Sequence, residues 1–194
     1  MFTAWGYEVE DLPPICDIDT YNQMTGDTHA GDPGLENALA AASIAIRNVC
    51  GWHVAPSLEC TARLTADGRL VKLPARLVTA ISSVKENDEL LTAGQFEARH
   101  DGLLRRCGFQ NWAHGWDAIE VVYDAGFSLE AVPDLVNIVS HVVDVALSVP
   151  SGVTGETAGN VSITYSANEG IAARAVYNIR WALEPYRVVD SRAV

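Results

Sequence analysis

The sequence contains few basic residues and almost no lysine. Lys and Arg together number 13 against 25 Asp and Glu, so the formal net charge is −12. The only lysines are Lys72 and Lys85. Proteins that bind nucleic acids usually neutralise phosphates with clustered Lys and Arg, and this chain lacks that surplus. We therefore expect it to repel DNA rather than to bind it.

The sequence also lacks a long uninterrupted apolar run. Its most apolar stretch covers residues 132–149 and is interrupted by polar side chains: Asp134, Asn137, Ser140, His141 and Asp144. These are too many polar groups for a membrane-spanning helix. We expect no secretion signal either, because MFTAWGYEVE has no basic start followed by an apolar run.

Closely spaced cysteines are missing as well. The four cysteines are Cys16, Cys50, Cys60 and Cys107. Their wide separation gives no compact disulfide framework, so we expect reduced thiols in a cytosolic setting. What the chain does have is 48% hydrophobic residues, enough to bury a core.

Local patterns divide the chain into five parts. Residues 1–31 contain Pro13–Pro14 and scattered acids, and we predict an extended N-terminal arm there. Asp32 and Pro33 have the residue types of an N-cap and a first helical residue. Apolar residues at helical spacing follow, and Gly51 is placed to end the helix in the left-handed conformation.

The middle of the chain has strand patterns. Residues 59–127 contain about five alternating segments, with turn signals at Asp67–Gly68 and Asp101–Gly102. Residues 132–149 return to helical periodicity, and a last helix is predicted over residues 171–183, before Pro185.

These patterns predict an α+β protein, mainly a helical bundle with an inserted small antiparallel sheet or sandwich. The predicted helical core covers residues 32–58 and 128–188, and the β subdomain covers residues 59–127. Residues 189–194 form a C-terminal tail.

One short stretch raises a question of chemistry. Cys50-Gly51-Trp52-His53 has half of a zinc-site spacing, and further Cys and His residues could complete it. Structural zinc usually needs two close-spaced pairs, and only one pair is close here. We therefore predict that Gly51 and Trp52 are structural residues at a hinge where the helix ends, and that the chain binds no metal or other cofactor.

Two other segments are candidates for protein contacts. FQNWAHGW, residues 109–116, includes Trp112 and Trp116, and aromatic residues are enriched at interfaces. The same rings could instead cover the end of a small sheet. SGVTGETAGN, with Gly152, Gly155 and Gly159, lacks the Lys–Ser/Thr ending of a phosphate-binding loop, so we expect a mobile loop. No catalytic residue is indicated, and nothing in the sequence argues for an enzyme.

The order of several segments resembles a known family. LAAASIAIRNVCGWHVAPS is similar to the first block of the head-to-tail adaptors, or head–tail connectors, of tailed bacteriophages, especially phages of high-GC actinobacteria. IEVVYDAGF leading into VPDLVNIVSHVV, the strand VSITYS and the ending LEPYRV follow in the family's order. The last segment adds Tyr186 and Arg187 as candidate contact residues.

The resemblance implies a structural virion protein. Such adaptors form a ring of about twelve subunits below the portal protein and extend the channel through which the genome passes. The implied partners are other copies of the chain, the portal protein, the next neck or tail connector, and genomic DNA passing without sequence-specific binding. The implied locations are the head–tail junction of the virion and, during assembly, the host cytoplasm.

Two alternatives remain open from the sequence. The chain could be another neck or tail-completion protein, such as a stopper, which we expect to be mainly a small β-barrel. It could also be a metal or thiol enzyme built on Cys50 and His53. No membrane partner is expected.

Overall fold

The computed structural model describes residues 1–148, 155–158, 161–164 and 176–188. Three α-helices lie wholly within this part of the chain: α1 (Ile18–Thr25), α2 (Leu35–Cys50) and α3 (Pro133–Ser148). Residues 176–178 are also α-helical. Short 3-10 helices cover Leu129–Ala131 and Arg180–Tyr186. The strands are β1 (Tyr7–Val9), β2 (Leu58–Leu64), β3 (Leu70–Lys72), β4 (Val78–Glu86), β5 (Glu89–Leu90), β6 (Phe96–Ala98), β7 (Leu103–Arg106), β8 (Ile119–Ala125), β9 (Gly155–Ala158) and β10 (Val161–Thr164).

The chain folds into two compact units. The β unit contains Met1–Pro13, Cys50–Ala131 and, near the end of the chain, residues 186–188. The helical unit contains Pro14–Val49 and the described part of Val132–Pro185. The first 13 residues and residues 50–58 therefore belong with the sheets, in contrast to the predicted boundaries.

The larger sheet of the β unit has the order β1-β2-β8-β4-β5, with antiparallel neighbours. Along the central strand β8, fully buried residues alternate with half-buried ones. This alternation is the pattern of a strand with one face in the core. The pairing of β4 with β8 is interrupted by two register shifts, where β-bulges bend the strand.

A second sheet has the order β3-β7-β6. The turn signal at Asp101–Gly102 joins β6 to β7 as a hairpin, with Ala98 opposite Leu104. The signal at Asp67–Gly68 does not form a hairpin between its flanking strands. Instead, β2 pairs with β1 and β8, while β3 pairs with β7, so the chain passes there from one sheet to the other.

One face of α2 is buried, and all its residues except the last, Cys50, belong to the helical unit: Leu35, Leu39, Ala42, Ser43, Ile46, Arg47 and Cys50. This spacing of three and four residues is that of an amphipathic helix. Ser43 Oγ donates to the Leu39 carbonyl at 2.8 Å and accepts the N–H of Ile15 at 3.0 Å. The hydroxyl therefore fixes the segment before α1 against α2.

Two predictions are corrected by the structure. The class is mixed α+β, but the helical bundle was overestimated, because the strands form two substantial sheets in the β unit. The predicted extended arm over residues 1–31 instead contains β1 and α1. The β1 residues find their partners in β2, where Tyr7 lies opposite Ala62. Among the described residues, no helix is long and apolar enough to span a membrane.

Candidate functional site

The helix α2 ends where the Cys-Gly-Trp-His stretch begins. Cys50 is its last residue, and Gly51 has a φ of +77°, a left-handed conformation that favours glycine. The carbonyl of Cys50 accepts the N–H of Val188 at 2.9 Å. The chain thus leaves the helix at Gly51, and a residue near the far end of the sequence is bonded to this turn.

Trp52 anchors the turn in the core of the β unit. Its side chain is fully buried, and its indole N–H donates to the carbonyl of Tyr186 at 2.6 Å. Its ring contacts Phe127 edge to face with centroids 6.0 Å apart, and Phe127 contacts Tyr186 at 5.7 Å. This geometry is favourable for aromatic pairs. Three distant parts of the sequence therefore meet at Trp52.

Hydrogen bonds hold the ring and the backbone of His53 in place. Its Nε2 lies 2.8 Å from the carbonyl oxygen of Ala125. A carbonyl only accepts, so Nε2 carries the hydrogen. The hydroxyl of Tyr7 accepts the backbone N–H of His53 at 2.9 Å, and its own hydrogen points to Nδ1 at 2.8 Å. Both ring nitrogens are therefore engaged inside the β unit.

The described residues place no cysteine in a metal-binding cluster, and two of the four cysteines have raised pKa values. No cluster of three or more His, Cys, Asp and Glu there could hold a metal ion. Burial, with smaller contributions from Asp124 and Glu59, raises the pKa of Cys60 to about 12. Burial also raises the pKa of Cys16, although its contact with Ser140 opposes the shift. A thiol with such a pKa stays protonated and is a poor nucleophile at neutral pH.

The aromatic loop of residues 109–116 splits into an inner and an outer part. Trp112 is buried, with the guanidinium of Arg106 5.7 Å from its ring centroid. Arg106 also pairs with Glu86 at 3.0 Å, and Glu86 accepts the N–H of Ala113 at 2.7 Å. Trp112 is therefore corrected from a candidate contact residue to a core residue that holds the loop.

The outer part of the loop carries two exposed rings. Trp116 is 93% exposed and Phe109 is 90% exposed. Phe109 has the guanidinium of Arg69 5.0 Å from its ring centroid. Asp117, next to Trp116, has a φ of +54° and donates its N–H to Thr65 Oγ1 at 3.1 Å. The loop thus presents large aromatic surface from a backbone that is held in place.

The other predicted residues are placed as follows. Asp32 Oδ1 accepts the N–H of Gly34 at 2.7 Å, and α2 begins at Leu35, so Asp32 and Pro33 lie in the turn before the helix. Gly155 begins β9 and lies opposite Thr164 of β10.

The candidate contacts near the end of the chain also divide between core and surface. Gly152 and Gly159 lie outside the described residues. Tyr186 is buried, whereas Arg187 is exposed. The predicted last helix lies partly outside the described residues. Of its described part, residues 176–178 are α-helical, and the 3-10 helix Arg180–Tyr186, which includes Pro185, follows them.

The sequence patterns did not reveal two charged surfaces of the β unit. Lys72, Arg76 and Arg187 line a cavity of about 300 Å³ together with Asp101. A second cavity, of about 520 Å³, is lined by four acids: Glu8, Glu10, Asp11 and Glu59. Glu59 is far in sequence from the other three acids, and Arg187 is far from Lys72 and Arg76, so no local motif could identify either complete group.

Comparisons of the sequence with family models and with curated proteins find no match. Solved structures with the same fold come from gene transfer agent (GTA) particles. A chain from the neck of a native GTA particle computed with C12 symmetry has a TM-score of 0.61 and 18% identity. A chain from the virion of a native particle has a TM-score of 0.64 and 17% identity.

A third chain, from the neck of an empty GTA particle computed with C6 symmetry, has a TM-score of 0.61 and 16% identity. In each case the match covers 97% of this chain and 98% of the other. The likeness therefore extends over both units and defines the fold of the protein.

Proposed function

We propose that this protein is a structural component of the neck of a tailed-phage-like particle, and specifically a head-to-tail adaptor. The observation that carries the proposal is the fold likeness over 97% of the chain to chains from GTA necks. The order of sequence blocks that resembles head-to-tail adaptors supports the same role independently.

The proposed adaptor acts as a ring. A neck computed with C12 symmetry is consistent with about twelve copies. In the proposal, the ring binds the portal protein on one side and the next neck or tail connector on the other. It is part of the virion at the head–tail junction and is assembled in the host cytoplasm.

The charge of the protein suits a channel for DNA. A surface with net charge −12 per subunit repels phosphate groups, whereas a basic lining would retain them. Genomic DNA can then pass without sequence-specific contacts. Exposed aromatic residues supply anchors for protein contacts, as Trp and Tyr do at many interfaces: Phe109, Trp116, Tyr177 and Trp181.

The two alternatives receive less support. A stopper-type β-barrel would not account for α1, α2 and α3. A thiol or metal enzyme would use Cys50 and His53, yet both side chains are buried, and His53 is bonded to Tyr7 and Ala125.

The proposal is tested by native mass spectrometry and electron microscopy of the purified protein over a range of concentrations, alone and with the portal ring of the same particle. We expect closed rings of about twelve copies, formed alone or on the portal. A protein that binds neither itself nor the portal ring at any concentration would contradict the adaptor role.

The exposed loop offers a matched pair of variants for the same assay. Trp116→Ala removes an exposed ring, and Glu89→Ala changes an exposed residue of the nearby β4–β5 hairpin. If the loop is an adaptor contact, Trp116→Ala weakens ring or portal binding about tenfold or more, as for an interface hot spot. Equal binding by the two variants would remove the loop from the proposed contacts.

A further inference from the structure

Two cations of the β unit differ from seven other basic residues in the described part of the chain. Five basic side chains there pair with carboxylates: Arg63, Lys85, Arg99, Arg105 and Arg106. Arg69 and Arg180 lie over aromatic rings. Lys72 and Arg76 instead donate to backbone carbonyls, Lys72 to Asp101 and Arg76 to Arg187, the latter at 3.1 Å. Neither forms a salt bridge within the described residues.

These two cations lie in one cavity. Lys72, Arg76 and Arg187 surround about 300 Å³ of space, with Asp101 as the acid in its wall. Asp101 is itself paired with Arg99 at 3.1 Å. Burial lowers the pKa of Lys72, Asp101 opposes this shift, and repulsion from Arg99 and Arg76 adds to it. Positive charge therefore exceeds negative charge here, and an anionic group entering the cavity would be stabilised. We name this cavity the basic pocket.

The same unit carries a complementary surface, which we name the acidic patch. It consists of four exposed acids around a cavity of about 520 Å³: Glu8, Glu10, Asp11 and Glu59. None of the four forms a salt bridge with another described residue. The acidic patch thus has an excess of carboxylates, as the basic pocket has an excess of cations.

The fold keeps the two surfaces apart within one subunit. The acidic patch lies along β1 and the start of β2, whereas Arg76 immediately precedes β4. In the sheet order β1-β2-β8-β4-β5, β2 and β4 lie on opposite sides of β8. Two different, complementary surfaces on one compact unit are what a head-to-tail contact requires, and such contacts form a ring when the rotation between copies closes.

We propose that the basic pocket of one subunit receives the acidic patch of the next copy of this chain in the ring. This inference rests on the self-assembly in the proposed function and adds the residues that make the contact. Lys72 and Arg76 would gain carboxylate partners, and the like charges on each side would be neutralised. A chain with net charge −12 needs such local pairing where copies meet.

DNA phosphate is the competing occupant of the basic pocket. It is less favoured because the pocket is a small positive region on a strongly acidic protein, whereas a duplex offers a long row of phosphates. The acidic patch, in contrast, is present on every subunit in equal number to the pocket.

The test uses two charge-reversal variants of the full chain. Lys72→Glu/Arg76→Glu reverses the basic pocket, and Glu8→Lys/Glu10→Lys reverses the acidic patch. We expect each variant alone to assemble at least tenfold more weakly than the wild type in sedimentation velocity. We expect an equimolar mixture to regain rings with the two variants in equal number, because alternating copies restore opposite charges at every contact.

The mixture also separates lost contacts from lost folding, since an unfolded variant cannot restore assembly in its partner. Arg105→Glu/Arg180→Glu is the matched control, because it makes the same change in net charge outside the basic pocket. It is expected to assemble more strongly than Lys72→Glu/Arg76→Glu.

Three results would overturn the inference. If the reversed variants assemble as the wild type does, rings form through other surfaces and the proposed function stands. If the wild type never self-associates, the inference fails, and the portal-binding assay alone decides the proposed function. If the wild type retains duplex DNA, and Lys72→Glu/Arg76→Glu loses DNA but not rings, the pocket binds phosphate.

Discussion

At the scale of single residues, side chains that are close in the sequence can have very different environments in the fold. Trp112 and Trp116 are four residues apart, yet one is buried and the other is 93% exposed. His53 has the side chain of a catalytic base or metal ligand. Its two ring nitrogens are nevertheless occupied by hydrogen bonds, Nδ1 with the hydroxyl of Tyr7 and Nε2 with the carbonyl of Ala125. Residue type alone therefore does not identify contact residues in this protein.

Trp52→Ala should destabilise the protein strongly. The change removes a fully buried ring and its hydrogen bond to Tyr186, and such truncations cost about 3–5 kcal/mol. Urea unfolding followed by circular dichroism measures the loss. Trp116→Ala is the matched control and should change the free energy of unfolding by less than about 0.5 kcal/mol. Similar losses of stability in both variants would contradict the burial of the Trp52 side chain in the core.

The cysteines should differ in reactivity in the folded protein. Because the pKa of Cys60 is about 12, its thiol stays protonated at pH 8 and becomes reactive only as the pH approaches that value. Cys107 is the half-buried cysteine, whereas Cys16 and Cys50 are buried. We expect a thiol reagent at pH 8 to label Cys107 first, and Cys107→Ser to remove the fast phase. Fast labelling of Cys60 would contradict this assignment.

At the scale of helices and strands, the sequence predicted the elements that are marked by residues within or next to them. The helix α3 lies within residues 132–149, where the helical periodicity predicted it, and the β6–β7 hairpin forms at its predicted turn. The helix α1 also has local signals, although it was not among the predicted elements: Asp17 caps it, and Gly26 ends it in the left-handed conformation. These two residues, read together, would have identified it.

Other elements depend on distant partners and have no local signal. The short strand β1 exists because Tyr7 pairs opposite Ala62. The Asp67–Gly68 turn has the residues of a hairpin, yet its flanking strands join different sheets. The basic pocket likewise combines Arg76 with Arg187, which no spacing rule connects. Long-range pairing of this kind is decided by packing, which a periodic pattern does not encode.

Gly126→Ala tests the close packing between the end of β8 and the turn after His53. A Cβ at Gly126 would lie 2.5 Å from the Pro56 carbonyl oxygen and 2.8 Å from His53 Nε2. Its φ of +114° also disfavours alanine. We expect a loss of about 3 kcal/mol or more, from strain and overpacking together.

The control for this variant is Gly68→Ala. Gly68 has a similar positive φ of +91°, but nothing lies within 4 Å of the added Cβ. It should lose only the strain contribution, about 1–2 kcal/mol. Thermal unfolding compares the two, and equal losses would show that the contact with Pro56 is not close.

At the scale of the whole molecule, the most prominent property is the large negative net charge. The net charge of −12 sets the long-range field, and the basic pocket is a small local exception to it. The field repels phosphate groups and opposes contact between like subunits, so contacts between copies need complementary surfaces. The proposed adaptor role and the proposed pairing of pocket and patch are both consistent with this balance.

The protein should not retain duplex DNA at physiological salt. With few cations available to displace counterions, binding should be absent in an electrophoretic mobility assay at about 0.15 M salt. The control variant is Glu8→Lys/Glu10→Lys, which makes the chain less acidic. Comparing its DNA binding with that of the wild type shows how strongly the negative charge opposes binding. Retention of DNA by the wild type, weakening steeply with salt, would contradict a repelling channel.

The contact between Trp52 and Tyr186 has a consequence for synthesis. The indole N–H of Trp52 finds its acceptor 134 residues later, in a part of the chain that leaves the ribosome long after Trp52 itself. The β unit therefore cannot complete its core while the nascent chain is still short of residue 186. A prematurely terminated product would keep the Trp52 indole unpaired. Copies that stop short of residue 186 would therefore carry an incomplete core, so the architecture of the β unit itself discriminates against such truncated products.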